Sequence, residues 1–261
     1  MKQRTLTGIA LALISMVLLG CFHLPFVPQL TAILLGCGAV WEILGANGIQ
    51  SKGCHAAALF LAVLLPLLPL TEKAGWIAVM LVLALAFFTY LMTRIGRESK
   101  PWMIAAEIFL PLSLYRALAS YGEIPYGAFY LGLTGLICAL TDIFAYLVGS
   151  RFGRHKLAPR VSPGKSIEGA LGGLFVTVIV LFLLFSRFFS DSLGFVLYLI
   201  AVSVLGQLGD LSMSAVKRVA GVKDFGKIFP GHGGVMDRFD SSLFSIPLTY
   251  CVVEIFNNAM K

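Results

Sequence analysis

The stretch EGALGGLFVTVIVLFLLFS, Glu168–Ser186, carries one charge at its first position and none after it. As a helix it would be about 28 Å long at roughly 1.5 Å per residue, close to the roughly 30 Å hydrocarbon thickness of a bilayer. It lacks the polar-apolar alternation that a strand of a membrane barrel requires. The stretch therefore reads as a transmembrane helix.

Working outward, the same reading applies to runs at 5–24, 29–46, 54–70, 75–93, 102–120, 127–149, 192–213 and 242–258. Pro66 and Pro69 interrupt the third, which membrane helices tolerate. The whole chain of 261 residues is 58% hydrophobic and 13% charged, with a mean hydropathy of +0.90. That is too apolar for a domain surrounded by water. The expected fold class is all-α: a polytopic helical membrane protein with about nine transmembrane helices.

Charge gives the expected orientation. With the N-terminus in the cytoplasm, 16 of the 20 Lys and Arg residues fall on the cytoplasmic side, leaving Lys73, Arg116, Arg187 and Lys261. This is the asymmetry of the positive-inside rule. The net charge of +7 therefore follows from topology, and nucleic acid is not an expected partner. The expected location is the cell membrane, multi-pass, with the working face in the cytoplasm. Cys21, Cys37, Cys54, Cys138 and Cys251 form no CxxC pair and lie in or beside apolar runs, as small buried side chains do. Lys2 and Arg4, followed by an apolar run ending at Leu18–Cys21, look like a lipoprotein-type leader. Leu19 suits a processing site poorly, so the run is expected to stay as the first span.

Residues 1–125 read as a scaffold of five helices with chemically plain connections. Glu42, Glu107 and Arg116 lie in or near these helices. Snorkelling at a helix end or an internal ion pair accounts for them as readily as function does. Residues 126–261 differ, because two polar connections, 150–167 and 214–241, hold nearly all the interpretable chemistry.

The first polar segment is TDIFAYLVGSRFGRHKLAPRVSPGKSIEGALGG, Thr141–Gly173. Asp142 and Tyr146 are four apart and share a helix face. An aspartate within a span needs a partner or a wet cavity. Gly164-Lys165-Ser166 resembles the end of a P-loop, but Pro159 stands where that pattern needs glycine. What remains is Ser162, Lys165 and Ser166 before a helix starting near Ile167, an arrangement suited to phosphate. A solvated basic loop is the competing reading of this segment.

The second segment is GQLGDLSMSAVKRVAGVKDFGKIFPGHGGVMDRFDS, Gly206–Ser241. Asp210, Ser214, Lys217 and Arg218 recur at helical spacing and form one stripe. Gly226, Pro230, Gly231, Gly233 and Gly234 force a compact loop. Asp237 and Asp240 then share a face of the last helix. Three carboxylates can thus converge from two helices, among the cations Lys217, Arg218, Lys223, Lys227 and Arg238. Hard carboxylate oxygens suit Mg2+, which takes a few carboxylates plus water and phosphate. Zinc would want cysteines or several histidines, and only His232 is near. Carboxylates with many cations indicate a polyphosphate bridged by metal. The competing reading is an ordinary charged loop held by salt bridges.

These residues resemble the phosphatidate cytidylyltransferase family, the CDP-diacylglycerol synthases. The family pattern is Ser-x-x-Lys-Arg, then Lys/Arg-Asp, His-Gly-Gly and Asp-Arg-x-Asp. Here Ser214, Lys217, Arg218, Lys223, Asp224, Gly226, Pro230, His232, Gly233, Gly234, Asp237, Arg238 and Asp240 supply it. The region from Asp142 to Gly169 is similar to the family's second conserved region. Together they cover roughly the last half of the chain. Met213 stands where many members have glutamate, and Asp142-Ile143 where Asp-Thr is common.

The resemblance implies transfer of CMP from CTP to phosphatidate, with release of pyrophosphate. It implies Mg2+ with a monovalent cation such as K+ beside it, substrate drawn from membrane lipid, and a homodimer. On this reading Asp210, Asp237 and Asp240 hold the metal. Lys217, Arg218 and Arg238 neutralise phosphate oxygens. His232, Gly233 and Gly234 shape the loop around the triphosphate, and His232 stabilises the leaving group. Ser162, Lys165 and Ser166 close the site from the other connection, with Ser214, Lys223 and Asp142 as further substrate contacts. The alternatives are a CTP-dependent lipid kinase, a cytidylyltransferase for another lipid phosphate, and an ion-coupled transporter using Glu42, Glu107 and Asp142. The transporter reading lacks the inverted repeats common in that class.

Overall fold

The computed structural model describes residues 2–24, 26–68, 73–93, 101–189, 191–231 and 233–259. The chain runs through helices α1 (Lys2–Cys21), α2 (Phe26–Ala46), α3 (Lys52–Leu67), α4 (Lys73–Met92), α5 (Pro101–Ser120) and α6 (Gly127–Phe152). A hairpin of β1 (Lys156–Ala158) and β2 (Ser162–Ser166) follows, then α7 (Ile167–Phe185) and α8 (Ser192–Val219). A loop leads to the single turn α9 (Met236–Phe239) and to α10 (Ser242–Ala259).

Each apolar run of the sequence contains a helix, the third ending at Leu67. Among the described residues, six helices are long and apolar enough to cross a membrane: 26–46, 74–92, 101–123, 127–152, 167–188 and 192–219. The stretches 7–21, 52–67 and 242–256 are shorter apolar helices. The outward faces of α6 and α7 agree with a lipid surrounding. Phe175, Ile179 and Leu183 are exposed in a row at helical spacing, an apolar stripe that water would not tolerate.

Helix ends follow local chemistry. Ser166 caps α7 by accepting the Gly169 N–H at 3.1 Å, and Asp191 caps α8 by accepting the Gly194 N–H at 2.9 Å. At the far end of α8, Gly221 takes φ +73°. The Val222 N–H returns to the Lys217 carbonyl at 2.9 Å and the Gly221 N–H to that of Arg218 at 3.3 Å. This left-handed turn stops the helix and starts the glycine-rich loop.

Two of the three buried side-chain clusters among the described residues include α8. One joins α2, α3, α4 and α5 to α8 and α10, with Ile43, Phe88, Leu114, Val216 and Phe244 at its centre. The other packs Leu133 and Ile137 of α6 on Leu181 of α7 and Leu199 and Val202 of α8. Helices α6 and α7 approach most closely at Gly169 and Gly173, where a Cβ would collide with the Ala145 and Thr141 carbonyls. The small-residue spacing thus packs two helices of the same chain. This brings the hairpin, which follows α6, over the end of α8.

Candidate active site

The two polar connections meet. Arg218 of α8 donates from Nε to the Val161 carbonyl at 3.1 Å and from an amino group to the Val222 carbonyl at 3.1 Å. One guanidinium therefore ties the hairpin to the loop. Lys165 of β2 forms an ion pair with Asp210 of α8. Beside this pair lies a cavity of about 570 Å³ whose walls include Asp142, Ser162, Lys165, Asp210, Arg238 and Asp240. A smaller cavity of about 300 Å³ is lined largely by aromatic residues, among them Phe189, Phe195 and Phe256. Its carboxylate, Asp191, is already bonded to the Gly194 amide, so the charged chemistry concentrates in the larger one.

The expected residues other than His232 have definite places. The Asp142 and Asp210 side chains enter the cavity from α6 and α8, and Asp240 from the turn before α10. Removal from water pushes the Asp240 carboxyl up to about 7, and repulsion from the Asp210 and Asp142 carboxylates adds to it. Ser214 donates to Asp210 at 3.4 Å. Ser166 is buried and its hydroxyl caps α7, at a point on the cavity wall beside Ser162 and Lys165. Arg238 is exposed and lines it as well. Lys223 is exposed on the neighbouring loop, and His232 lies outside the described residues.

Asp237 also borders the cavity, but its oxygens have partners. Oδ1 accepts from the Lys217 ammonium at 2.8 Å, and Oδ2 from the Phe225 and Gly234 amides at 2.9 Å each. Burial by itself would raise this carboxyl; the bond to Lys217 and the amide bonds outweigh it and hold Asp237 below its usual range. Lys217 is itself buried, with its ammonium 5.5 Å from the centre of the Phe225 ring.

Spacing in the sequence did not reveal these pairings, because the partners come from different elements. It also undervalued Glu42. That residue is 3% exposed. Its carboxylate accepts the Val235 N–H at 2.7 Å and the Met236 N–H at 2.9 Å. Glu107, its companion in the transporter reading, accepts from Asn47 at 3.0 Å within the bundle. A lone glutamate near a helix end carries no local signal that distinguishes these roles.

Among the described residues, no three His, Cys, Asp or Glu side chains are gathered into a ready metal cage. The donor set is nonetheless one for a hard cation. Asp142, Asp210 and Asp240 are mutually repelling carboxylates around one cavity, and Mg2+ commonly takes only one or two carboxylates with water and phosphate completing its shell. The residues present fit such an ion. Together the site offers carboxylates for a cation, lysine and arginine for phosphate oxygens, and a position at the end of lipid-facing helices.

The cytidylyltransferase family model matches residues 2–256. The phosphatidate cytidylyltransferase of Staphylococcus haemolyticus is 37% identical, with 95% of this chain and 97% of that protein covered. That of Staphylococcus aureus is also 37% identical over the same shares. The Bacillus subtilis phosphatidate cytidylyltransferase is 33% identical over 98% of this chain and 99% of its own length.

Proposed function

From the premise that this chain belongs to the cytidylyltransferase family, we propose that it is a phosphatidate cytidylyltransferase of the cell membrane. It transfers CMP from CTP to phosphatidate and so makes CDP-diacylglycerol. An oxygen of the lipid phosphate attacks the α-phosphorus of CTP. The bond from that phosphorus to the β-phosphate oxygen breaks, and pyrophosphate leaves with the electron pair. The observation that carries this reading is the meeting of Lys165 of the hairpin with Asp210 of α8 at one cavity.

The nucleophile is already an anion, so no strong base is required. The barrier is repulsion between anions and the charge that builds on the leaving pyrophosphate. Positioning and electrostatics should therefore dominate. We assign Mg2+ to Asp210 and Asp240, with Asp142 beside them and a monovalent cation such as K+ nearby, and Asp237 joins them through the oxygen that Lys217 gives up. When bound, the metal supplies charge neutralisation between CTP and the lipid phosphate. Lys165 and Lys217 each hold a carboxylate now. With substrate present they exchange it for phosphate oxygens. Arg238 faces the cavity and neutralises further charge, and Arg218 keeps the two connections together. Ser162, Ser166, Ser214 and Lys223 support the substrate, while Gly233, Gly234 and His232 shape the loop at the triphosphate.

The finer reading is nine spans, an N-terminus and active site in the cytoplasm, and a homodimer. Charge asymmetry supports the orientation, and the family resemblance supports the dimer. A cytoplasmic site gives access to CTP while the lipid keeps its acyl chains in the bilayer. The test uses purified protein in phosphatidate-containing micelles with CTP labelled at either the α- or the γ-phosphorus. Transfer of the α-label to lipid with equimolar pyrophosphate is expected. Transfer of the γ-label with release of CDP would instead mean a lipid kinase.

A further inference from the structure

We propose that Glu42, in the N-terminal half of the chain, is a positioning residue of the active site, its carboxylate fixing the turn that carries Asp237, Arg238 and Asp240. The inference rests on the cytidylyl-transfer reading for its effect on activity, but not for its geometry.

The chain before α9 has just left a glycine-rich loop, and α9 is a single turn. So short a helix has little stability of its own. Its first amides need acceptors. No side chain caps it from its own N-terminal residue, Val235. Glu42 does so from a helix 193 residues away in sequence, one oxygen to the Val235 N–H and the other to the Met236 N–H. Two amides on two oxygens fix direction as well as distance, and a buried carboxylate makes such bonds strong.

The surroundings are built for this contact. Gly226 and Gly234 both face the Glu42 carboxylate, and a Cβ on either would run into it. Gly38, one turn earlier on α2, lies against the Val235 side chain. From α5, the Tyr115 hydroxyl donates to the Met236 sulfur at 3.3 Å. The start of α9 is therefore gripped by α2 and α5, while the residues that follow it line the cavity. In this way the N-terminal helices set the position of charges in the catalytic half.

The test compares Glu42→Gln with Leu112→Ala, a core truncation in α5 that opens space beside Gly36. Gln keeps the shape but turns an NH2 toward one of the two amides, leaving a donor facing a donor. Hydrogen exchange at residues 234–237 should rise about tenfold or more in Glu42→Gln, as loss of a buried charged acceptor predicts. Half-saturation by CTP and by Mg2+ should rise several-fold and kcat should fall, since displacement by a fraction of an ångström is costly in a preorganised site. Leu112→Ala should lower the melting temperature without these changes. Gly226→Ala presses on the same carboxylate from the other side, so its losses should overlap with those of Glu42→Gln and not multiply. It also serves if Glu42→Gln does not accumulate. Exchange in Glu42→Gln matching wild type, or kinetic changes equal to those of Leu112→Ala, would overturn the proposal. A wild-type protein lacking cytidylyl transfer would overturn the functional reading alone, since exchange still reports on the contact.

Discussion

Lys165 and Asp210 are 45 residues apart in the chain, yet their side chains form an ion pair in the wall of the larger cavity. One belongs to the hairpin after α6 and the other to the middle of α8. Each is expected to change partner when substrate arrives, the ammonium turning to phosphate and the carboxylate to metal.

Removal of either member should therefore impair catalysis. Lys165→Ala and Asp210→Asn are each expected to lower kcat/KM by about a hundredfold or more, the usual size of a lost electrostatic contact in such a site. Because both act on the same charge arrangement, the double variant should lose less than the product of the two. Steady-state kinetics of the four proteins checks this.

Lys217 and Asp237 form the buried counterpart, with side chains 10% and 4% exposed. Lys217→Met leaves the Asp237 carboxylate with two amides but no countercharge. Breaking such a pair commonly costs about 3–5 kcal/mol. Lys217→Met should accordingly melt at a clearly lower temperature, and adding Asp237→Asn should recover part of the loss. Thermal melting in detergent reads both.

Arg218 reaches two backbone carbonyls in different segments. A lysine offers one point charge where the guanidinium offers a planar fork. Arg218→Lys should consequently behave almost like Arg218→Ala, with faster hydrogen exchange across residues 156–166 and roughly tenfold weaker use of CTP, as expected for lost positioning.

How much of this was legible in the sequence differs by residue. The apolar runs and the helix starting near Ile167 were readable, because lipid demands long uncharged stretches. Asp142, Asp210 and Asp240 were readable as candidates, since carboxylates in apolar surroundings need a reason. Their partners were not. Lys217 meets Asp237 across a loop, Arg218 ends on carbonyls that any residue could supply, and Glu42 serves amides in the opposite half of the chain. Those contacts depend on how α2, α6 and α8 pack, and neither periodicity nor spacing encodes that.

Asp240 gives the pH dependence. Its carboxyl in the metal-free protein is raised from 3.8 to about 7, chiefly by burial and then by Asp210. The folded state thus binds a proton more readily than the unfolded chain. The stability this contributes is fully present below 3.8 and is lost as pH rises through about 7. Mg2+ requires the ionised form, so its binding should weaken as pH falls through that value. Melting of metal-free protein should show the first trend, and the Mg2+ dependence of activity the second. Asp240→Asn should flatten both the melting trend and the Mg2+ response.

The central claim is that carboxylates from α8 and from the turns before α10 hold a divalent cation that brings CTP to the lipid phosphate. The most direct measurement is incorporation of α-labelled CTP into phosphatidate by purified protein, with Mg2+ or with EDTA, for wild type and Asp240→Asn. The account predicts label in lipid for wild type with Mg2+ and almost none in the other three reactions. Undiminished labelling in EDTA, or by Asp240→Asn, would contradict it.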